Sequence, residues 1–348
     1  MGNVPHRFET VERVPDGDAL DERIADGEEL LPPLVTEVRH EQASSLLAYN
    51  DSPDIGFDRS INPYRGCEHG CVYCYARPTH SYLNLSPGLD FETRLSAKVN
   101  AAEVLRRELA AGGYRAAVVN LGSATDAYQP VERELRLTRA VLEVLAEARH
   151  PVAIVTKSSL IERDLDLLRP MAAQQLAAAF ISVTTLDHRL SRALEPRAAS
   201  PMRRLRTIAR LAQAGVPVGV NVAPVIPFVN EPEIERIVEA AAAAGARAAF
   251  YTVLRLPWEV APLFKDWLRA HLPLRAERVM SRVREMRGGR DYQADFGTRM
   301  KGSGAWAELI RQRFDKACAR HGLGREGFAL RSDLFQPPLA AGAQLTLF

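Results

Sequence analysis

Asn62-Pro63-Tyr64-Arg65-Gly66-Cys67-Glu68-His69-Gly70-Cys71-Val72-Tyr73-Cys74-Tyr75-Ala76 is the stretch from which the rest of this 348-residue chain is read. Three thiols in C-x3-C-x2-C spacing on one short loop can ligate three irons of a cubane cluster, where an electron-transfer cluster uses four. The fourth iron is then open to a ligand. Gly66 and Gly70 let such a loop wrap an inorganic core. Disulfides fit poorly, because three of only four cysteines fall within eight positions and no secretory signal is expected before them. A structural zinc site would need a fourth closed ligand, from His69 or Cys318.

The loop, with aromatic Tyr73 just before its last cysteine, resembles the signature of the radical S-adenosylmethionine (radical SAM) superfamily. The resemblance implies a [4Fe–4S] cluster on Cys67, Cys71 and Cys74, with SAM on the open iron. It also implies reductive cleavage of SAM to methionine and a 5′-deoxyadenosyl radical, driven by an electron donor of the flavodoxin or ferredoxin type. In such enzymes the cofactor carries the hard chemistry and the protein positions it.

Composition sets the outer limits. With 47% apolar and 25% charged residues the chain reads as a globular enzyme, long enough for a barrel-sized domain plus additions. No run approaches the ~20 apolar residues of a membrane span. Even the alanine-rich run 239–249 contains Glu239 and Arg247. An oxygen-sensitive cluster fits a reducing cytoplasm. The net charge of +2 conceals a split: residues 1–45 hold four basic and eleven acidic side chains, which leaves +9 on the remainder. Arginines concentrate in 187–211 and again in 269–301. Such clusters are either a phosphate-contacting footprint or solvated helix faces.

Residues 1–45 are acidic and weakly periodic, and are expected to form a mobile or loosely docked extension. From 46 to 260 short β-branched runs alternate with longer amphipathic ones. Strands are expected at Ala117–Gly122, Val152–Lys157, Ala179–Thr185, Val216–Ala223 and Ala248–Val253, with a shorter one before the cysteine loop. Helices are expected near 97–112, 132–148, 161–174, 200–214 and 231–244, with Ser200-Pro201 as a start signal and Gly215 and Gly245 as stops. Six strands alternating with helices predict an α/β fold with a parallel sheet. That count matches the partial (β/α)6 barrel of the superfamily it resembles.

In a parallel barrel, ligands gather at the strand C-terminal ends. Here those ends are polar: Gly122-Ser123-Ala124-Thr125-Asp126, then Thr156-Lys157-Ser158, then Ser182, then Asn221. Any one of these also suits a cap or turn. Their recurrence at successive ends marks a site. Tyr73-Cys74-Tyr75, Ser123 to Asp126, Val155-Thr156-Lys157, Ser182, Glu195-Pro196, Ser200-Pro201, Ala214-Gly215 and Ala223-Pro224 together resemble the spore photoproduct lyase group of DNA-repair-like radical SAM proteins. This resemblance implies that Lys157 and Ser182 contact the SAM carboxylate end, and the strand-end pattern adds Ser123, Thr125, Asp126 and Asn221 to the expected cofactor berth. It makes Tyr75 the hydrogen-relaying tyrosine. Where the lyase has a hydrogen-donating cysteine, this chain has Ser123, whose O–H is a poor hydrogen-atom donor, so the lyase's radical-return step is not copied.

Residues 261–335 leave the barrel pattern for a helical extension, with helices expected near 274–287 and 304–321 around a Gly- and Arg-rich loop. That loop carries Tyr292 and Phe296 and suits a lid, a phosphate clamp with a base-stacking face, or both. Cys318 is expected to be a small buried hydrophobe. Residues 336–348 read as a tether ending in Gln344-Leu345-Thr346-Leu347-Phe348. The ending resembles the peptide by which bacterial repair proteins bind the replication sliding clamp. The expected function is a radical SAM enzyme that abstracts hydrogen from a nucleic acid, in DNA repair. The alternatives are radical SAM modification of RNA, a peptide or a small molecule, and a non-catalytic metal-bearing binding protein.

Overall fold

The computed structural model describes residues 35–338. Its strands are β1 (Glu37–Glu41), β2 (Leu47–Tyr49), β3 (Arg59–Ile61), β4 (Tyr64–Arg65), β5 (Arg94–Lys98), β6 (Val119–Leu121), β7 (Val152–Thr156), β8 (Ala177–Ser182), β9 (Val218–Val225) and β10 (Ala248–Val253). Seven of them form one sheet in the order β10-β9-β8-β7-β6-β3-β2. From β3 to β10 sheet order follows chain order and every pairing is parallel. These are the six expected strands, and the short antiparallel β2 is added at one edge.

All six residues of β8 are buried. Layers on both faces explain why its sequence is a continuous run of small and apolar residues without alternation. On the neighbouring strand, a Cβ at Gly219 would lie 2.6 Å from the Phe180 ring, so that close packing requires glycine. At the other edge, Gly324 bridges to Ala248 and covers the backbone of β10.

The main helices are α1 (Ala101–Leu109), α2 (Leu137–Glu147), α3 (Leu165–Ala173), α4 (Pro201–Gln213), α5 (Ile234–Ala243), α6 (Val260–His271), α7 (Ala276–Glu285) and α8 (Gly304–His321). The expected signals operate: the Ser200 side chain accepts from the Arg203 N–H at 3.3 Å, with Pro201 in the first turn. Gly215 and Gly245 take positive φ where α4 and α5 end. Helix α6 was not expected. Pro262 and the lack of a capping side chain hide it, yet Val260, Phe264, Trp267 and Leu268 pack in one cluster with Cys71, Val72 and Tyr73 of the cysteine loop. Cys318 is buried in the main core, as expected.

A second sheet, β1-β5-β4, braces the approach to the cysteine loop. Residues 37–41 of the expected N-terminal extension are therefore docked as a strand, and residues 1–34 lie outside the described residues. Phe335 packs on Tyr114 and His150, and the Gln336 N–H donates to the Ala148 carbonyl at 2.9 Å. Gln344, Leu345, Leu347 and Phe348 lie outside the described residues. Among the described residues no helix is long and apolar enough to cross a membrane.

Candidate active site

Strand β4 delivers the chain into the cysteine loop, where the Cys67 N–H donates to the Phe91 carbonyl at 2.8 Å. Gly66 and Gly70 both have positive φ, and a Cβ on either would run into its surroundings, Phe91 O at 2.8 Å for Gly66 and the Glu92 carboxylate for Gly70. No side chain fits these turns. Buried Arg77 then pins the loop from beneath. Its guanidinium donates to the carbonyls of Cys71 (2.9 Å), Gly70 (3.0 Å) and Gly88 (2.7 Å). Glu92, also buried, takes Arg77 at 3.0 Å on one oxygen and Arg197 at 3.1 Å on the other, while Arg197 also donates to the Glu68 carbonyl. One carboxylate thus bridges two guanidiniums inside the protein and offsets part of their buried charge.

A second buried group holds Tyr73. Its hydroxyl donates to Glu195, which also receives Thr184 at 2.6 Å and pairs with Arg204. Burial pushes the Glu195 carboxyl up, and Arg204 opposes that shift. Arg197 and Arg204 both come from the arginine-rich stretch 187–211, and Arg203 and Arg210 pair with Glu162. Much of the 187–211 cluster, read as either a phosphate footprint or a solvated helix face, is internal framework instead.

The loop opens onto a cavity of about 350 Å³, within the usual range for small-molecule sites. Cys67, Cys71, Cys74, Tyr75, Ser123, Thr125, Asp126, Lys157, Ser182 and Asn221 all line it. The positions read from successive strand ends therefore converge on the cysteines. Asp126 is the junction between them. Its carboxylate accepts from the Thr156 hydroxyl at 2.6 Å, the Lys157 N–H at 2.7 Å and the Tyr128 N–H at 2.9 Å, and lies 3.3 Å from His69 Nδ1. Burial opposes its charge, but His69 and these donors hold Asp126 below the usual carboxylate range. For His69, burial is outweighed by Asp126 and Cys67, which push the imidazole up to about 10.

The Tyr75 hydroxyl donates to the Ser123 backbone carbonyl, and Asn62 Nδ2 donates to the Ser123 hydroxyl at 3.2 Å. The Lys157 ammonium lies 5.9 Å from the Tyr73 ring centroid and has no carboxylate within ion-pair distance among the described residues. Sequence reasoning missed Asn120, Thr252, Arg255 and Met300, which also line the cavity. Arg255 lies two residues past the end of β10, where the strand-end rule could have found it, whereas Asn120 sits inside the short strand β6.

Whether these residues fit an iron–sulfur cluster and SAM can be tested on the polar atoms left over. Asn120 Oδ1 and Thr125 Oγ1 are buried without a hydrogen-bond partner, and both belong to side chains lining this cavity. Buried orphans on one cavity are the mark of a polar ligand. Burial pushes the Cys71 and Cys74 thiols up, so thiolates here call for a cationic core. Among the described residues no three His, Cys, Asp or Glu side chains are arranged to hold a single metal ion. The residues fit.

Comparison with known proteins agrees. The radical SAM superfamily pattern matches residues 61–241. An uncharacterised protein of Mycobacterium tuberculosis is 37% identical over 246 residues, 70% of this chain and 71% of its own. One of Methanocaldococcus jannaschii is 27% identical over 167 residues, 48% of this chain and 60% of its own. Among solved structures, a spore photoproduct lyase mutant superposes with a TM-score of 0.59 at 15% identity, covering 90% of this chain and 94% of the lyase. Another lyase mutant, with bound AdoMet and dinucleoside spore photoproduct, gives 0.58 at 14% identity with the same coverage. At such identities the likeness is one of fold.

Proposed function

The chain belongs to the radical SAM superfamily, and on that premise we propose that this radical SAM enzyme abstracts hydrogen from a nucleic acid, with damaged DNA as its substrate. Its cofactors are a [4Fe–4S] cluster and SAM. In this proposal Cys67, Cys71 and Cys74 hold three irons. Lys157 and Ser182 take the SAM carboxylate, because an ammonium and a hydroxyl fix a carboxylate by charge-assisted bonds. Thr125, Asn221 and Asn120 supply the remaining polar contacts, while Asp126 positions His69 and the Lys157 backbone. When bound, the pair supplies reductive cleavage of the sulfonium to a 5′-deoxyadenosyl radical that takes hydrogen from substrate carbon. Tyr75 and Ser123 stand at the reacting end, with Tyr75 as the hydrogen relay.

The observation that carries the nucleic-acid substrate is the placement of exposed aromatics. Trp258 and Phe296 are 72% and 57% exposed, within four residues of the cavity-lining Arg255 and Met300. The Arg299 guanidinium lies 4.6 Å from the Phe296 ring centroid. Arg275 and Arg278 add exposed charge on and beside α7. Aromatic faces set among arginines are how single-stranded nucleic acid is held without sequence preference.

An electron donor is required, and a flavodoxin or ferredoxin type is proposed, in the cytoplasm, where reducing conditions protect an open cluster. Gln344, Leu345, Leu347 and Phe348 are proposed to bind the replication sliding clamp as a tethered apolar anchor. Removing Leu347 and Phe348 should abolish clamp pull-down and leave SAM cleavage intact; unchanged pull-down would discard that partner. The enzymatic proposal is tested by anaerobic reconstitution with dithionite and SAM, measuring 5′-deoxyadenosine with and without UV-irradiated or alkylated DNA. Stimulation by damaged DNA is expected. Indifference to every DNA would sink the repair reading.

A further inference from the structure

We propose that Arg255 anchors a phosphodiester of the substrate at the cavity wall, a proposal that rests on the nucleic-acid reading above. Arg255 follows β10 and lines the cavity, with its guanidinium 5.3 Å from the Tyr75 ring centroid. Its contacts within the protein are weak ones, Nη1 to the Met300 sulfur at 3.4 Å and Nη2 to the Tyr292 hydroxyl at 3.5 Å. Nε is buried with no acceptor. Among the described residues no carboxylate lies within ion-pair distance. Other arginines of the C-terminal extension differ: Asp54 clasps Arg299 at 2.6 and 2.8 Å, and Asp291 takes Arg284 at 2.9 Å.

Charge balance in the cavity points the same way. Among the described residues Asp126 is its only lining carboxylate, and its oxygens are taken by Thr156, the Lys157 N–H, the Tyr128 N–H and His69. Lys157 has the SAM carboxylate to meet, and among the described residues no carboxylate reaches Arg255. Behind it, buried Arg287 donates to the Val253 and Leu254 carbonyls at 3.3 and 2.8 Å. Burial, with the charge of Arg255 added, pulls Arg287 down to about 10. A guanidinium on the cavity wall with a second one buried behind it favours an anion in front. A planar fork with a free Nε–H suits the paired oxygens of phosphate, and the aromatics beside it suit the adjoining bases.

The test uses the anaerobically reconstituted protein and a fluorescein-labelled single-stranded oligonucleotide, read by anisotropy over a range of salt. Arg255→Gln should weaken binding by about 10- to 100-fold, the usual worth of a charge-assisted hydrogen bond. It should also lower the salt slope by about one. Arg255→Lys should recover part of the affinity, whereas Arg320→Gln on the exposed face of α8 should change neither quantity. Iron content shows that the variants hold their cluster. Tight binding that Arg255→Gln leaves unchanged overturns the assignment of Arg255 and spares the nucleic-acid reading. No binding of any oligonucleotide by the parent protein overturns both. Arg255-dependent binding of an acidic peptide in place of the oligonucleotide overturns the phosphodiester and assigns the fork to a carboxylate.

Discussion

The phenol of Tyr75 donates its hydrogen bond to the backbone carbonyl of Ser123, so the two residues expected at the reacting end are held against each other at the cavity wall. Removing the phenol oxygen separates radical generation from its use. Tyr75→Phe is expected to keep 5′-deoxyadenosine formation and to lower product yield about tenfold, a barrier change of about 1.4 kcal/mol. Ser123→Cys places a thiol beside the phenol and should raise yield on dinucleoside spore photoproduct. The ratio of 5′-deoxyadenosine to product measures both; a ratio that neither change moves removes Tyr75 and Ser123 from the reacting end.

Lys157 has no carboxylate of its own to satisfy. Lys157→Met should weaken SAM binding by about 10- to 100-fold, the range for losing one charge-assisted bond, without lowering iron content. Equilibrium dialysis of the reconstituted protein would show it. Unaltered SAM affinity would return Lys157 to a packing role against Tyr73.

Glu92 stands between Arg77 and Arg197, all three buried. Glu92→Gln removes the carboxylate that the two buried guanidiniums share, and breaking such a buried pair costs about 3–5 kcal/mol. Because both arginines hold carbonyls of the cysteine loop, iron content after reconstitution should fall together with the urea midpoint. A variant equal to the parent in both would show that the loop does not depend on this carboxylate.

His150 is fully buried, and burial pulls its imidazole down to about 4 from the ordinary 6.5. Nδ1 faces the Pro151 carbonyl at 3.0 Å and Nε2 faces the Tyr114 hydroxyl at 2.7 Å, an arrangement that suits the neutral ring. The unfolded chain therefore binds the extra proton first. Stability from this group is complete above pH 6.5, declines as pH falls, and is wholly lost below about 4. The full effect is about 3 kcal/mol at 1.36 kcal/mol per pH unit. His150→Gln should flatten the difference in urea stability between pH 6.5 and 4 relative to the parent. Parallel profiles would contradict the assignment.

How much of this was legible in the sequence depends on sequence distance. The cysteine triplet, the six strands and the polar strand ends were readable because each is a local pattern, and β8 shows why a fully buried strand reads as one apolar run. Arg77, Glu92 and Arg197 were not readable. Arg197 and Glu92 are 105 residues apart, and a lone arginine in an arginine-rich stretch looks like a solvated charge until a carboxylate meets it in the core. Asp126 was readable as a site residue but not as a junction, since its partners Thr156 and His69 come from β7 and from the cysteine loop. Arg255 was missed for a simpler reason: Leu254 and Leu256 around it read as ordinary core.

The central claim is that hydrogen leaves a nucleic acid for the radical formed in this cavity. The most direct measurement is mass spectrometry of 5′-deoxyadenosine after turnover with a UV-irradiated oligonucleotide carrying deuterated thymidine. Deuterium in the 5′-deoxyadenosine, lost when Cys71 is replaced by alanine, is the expected result. Abundant 5′-deoxyadenosine without deuterium, from that substrate and from other deuterated DNA or RNA, would contradict the account.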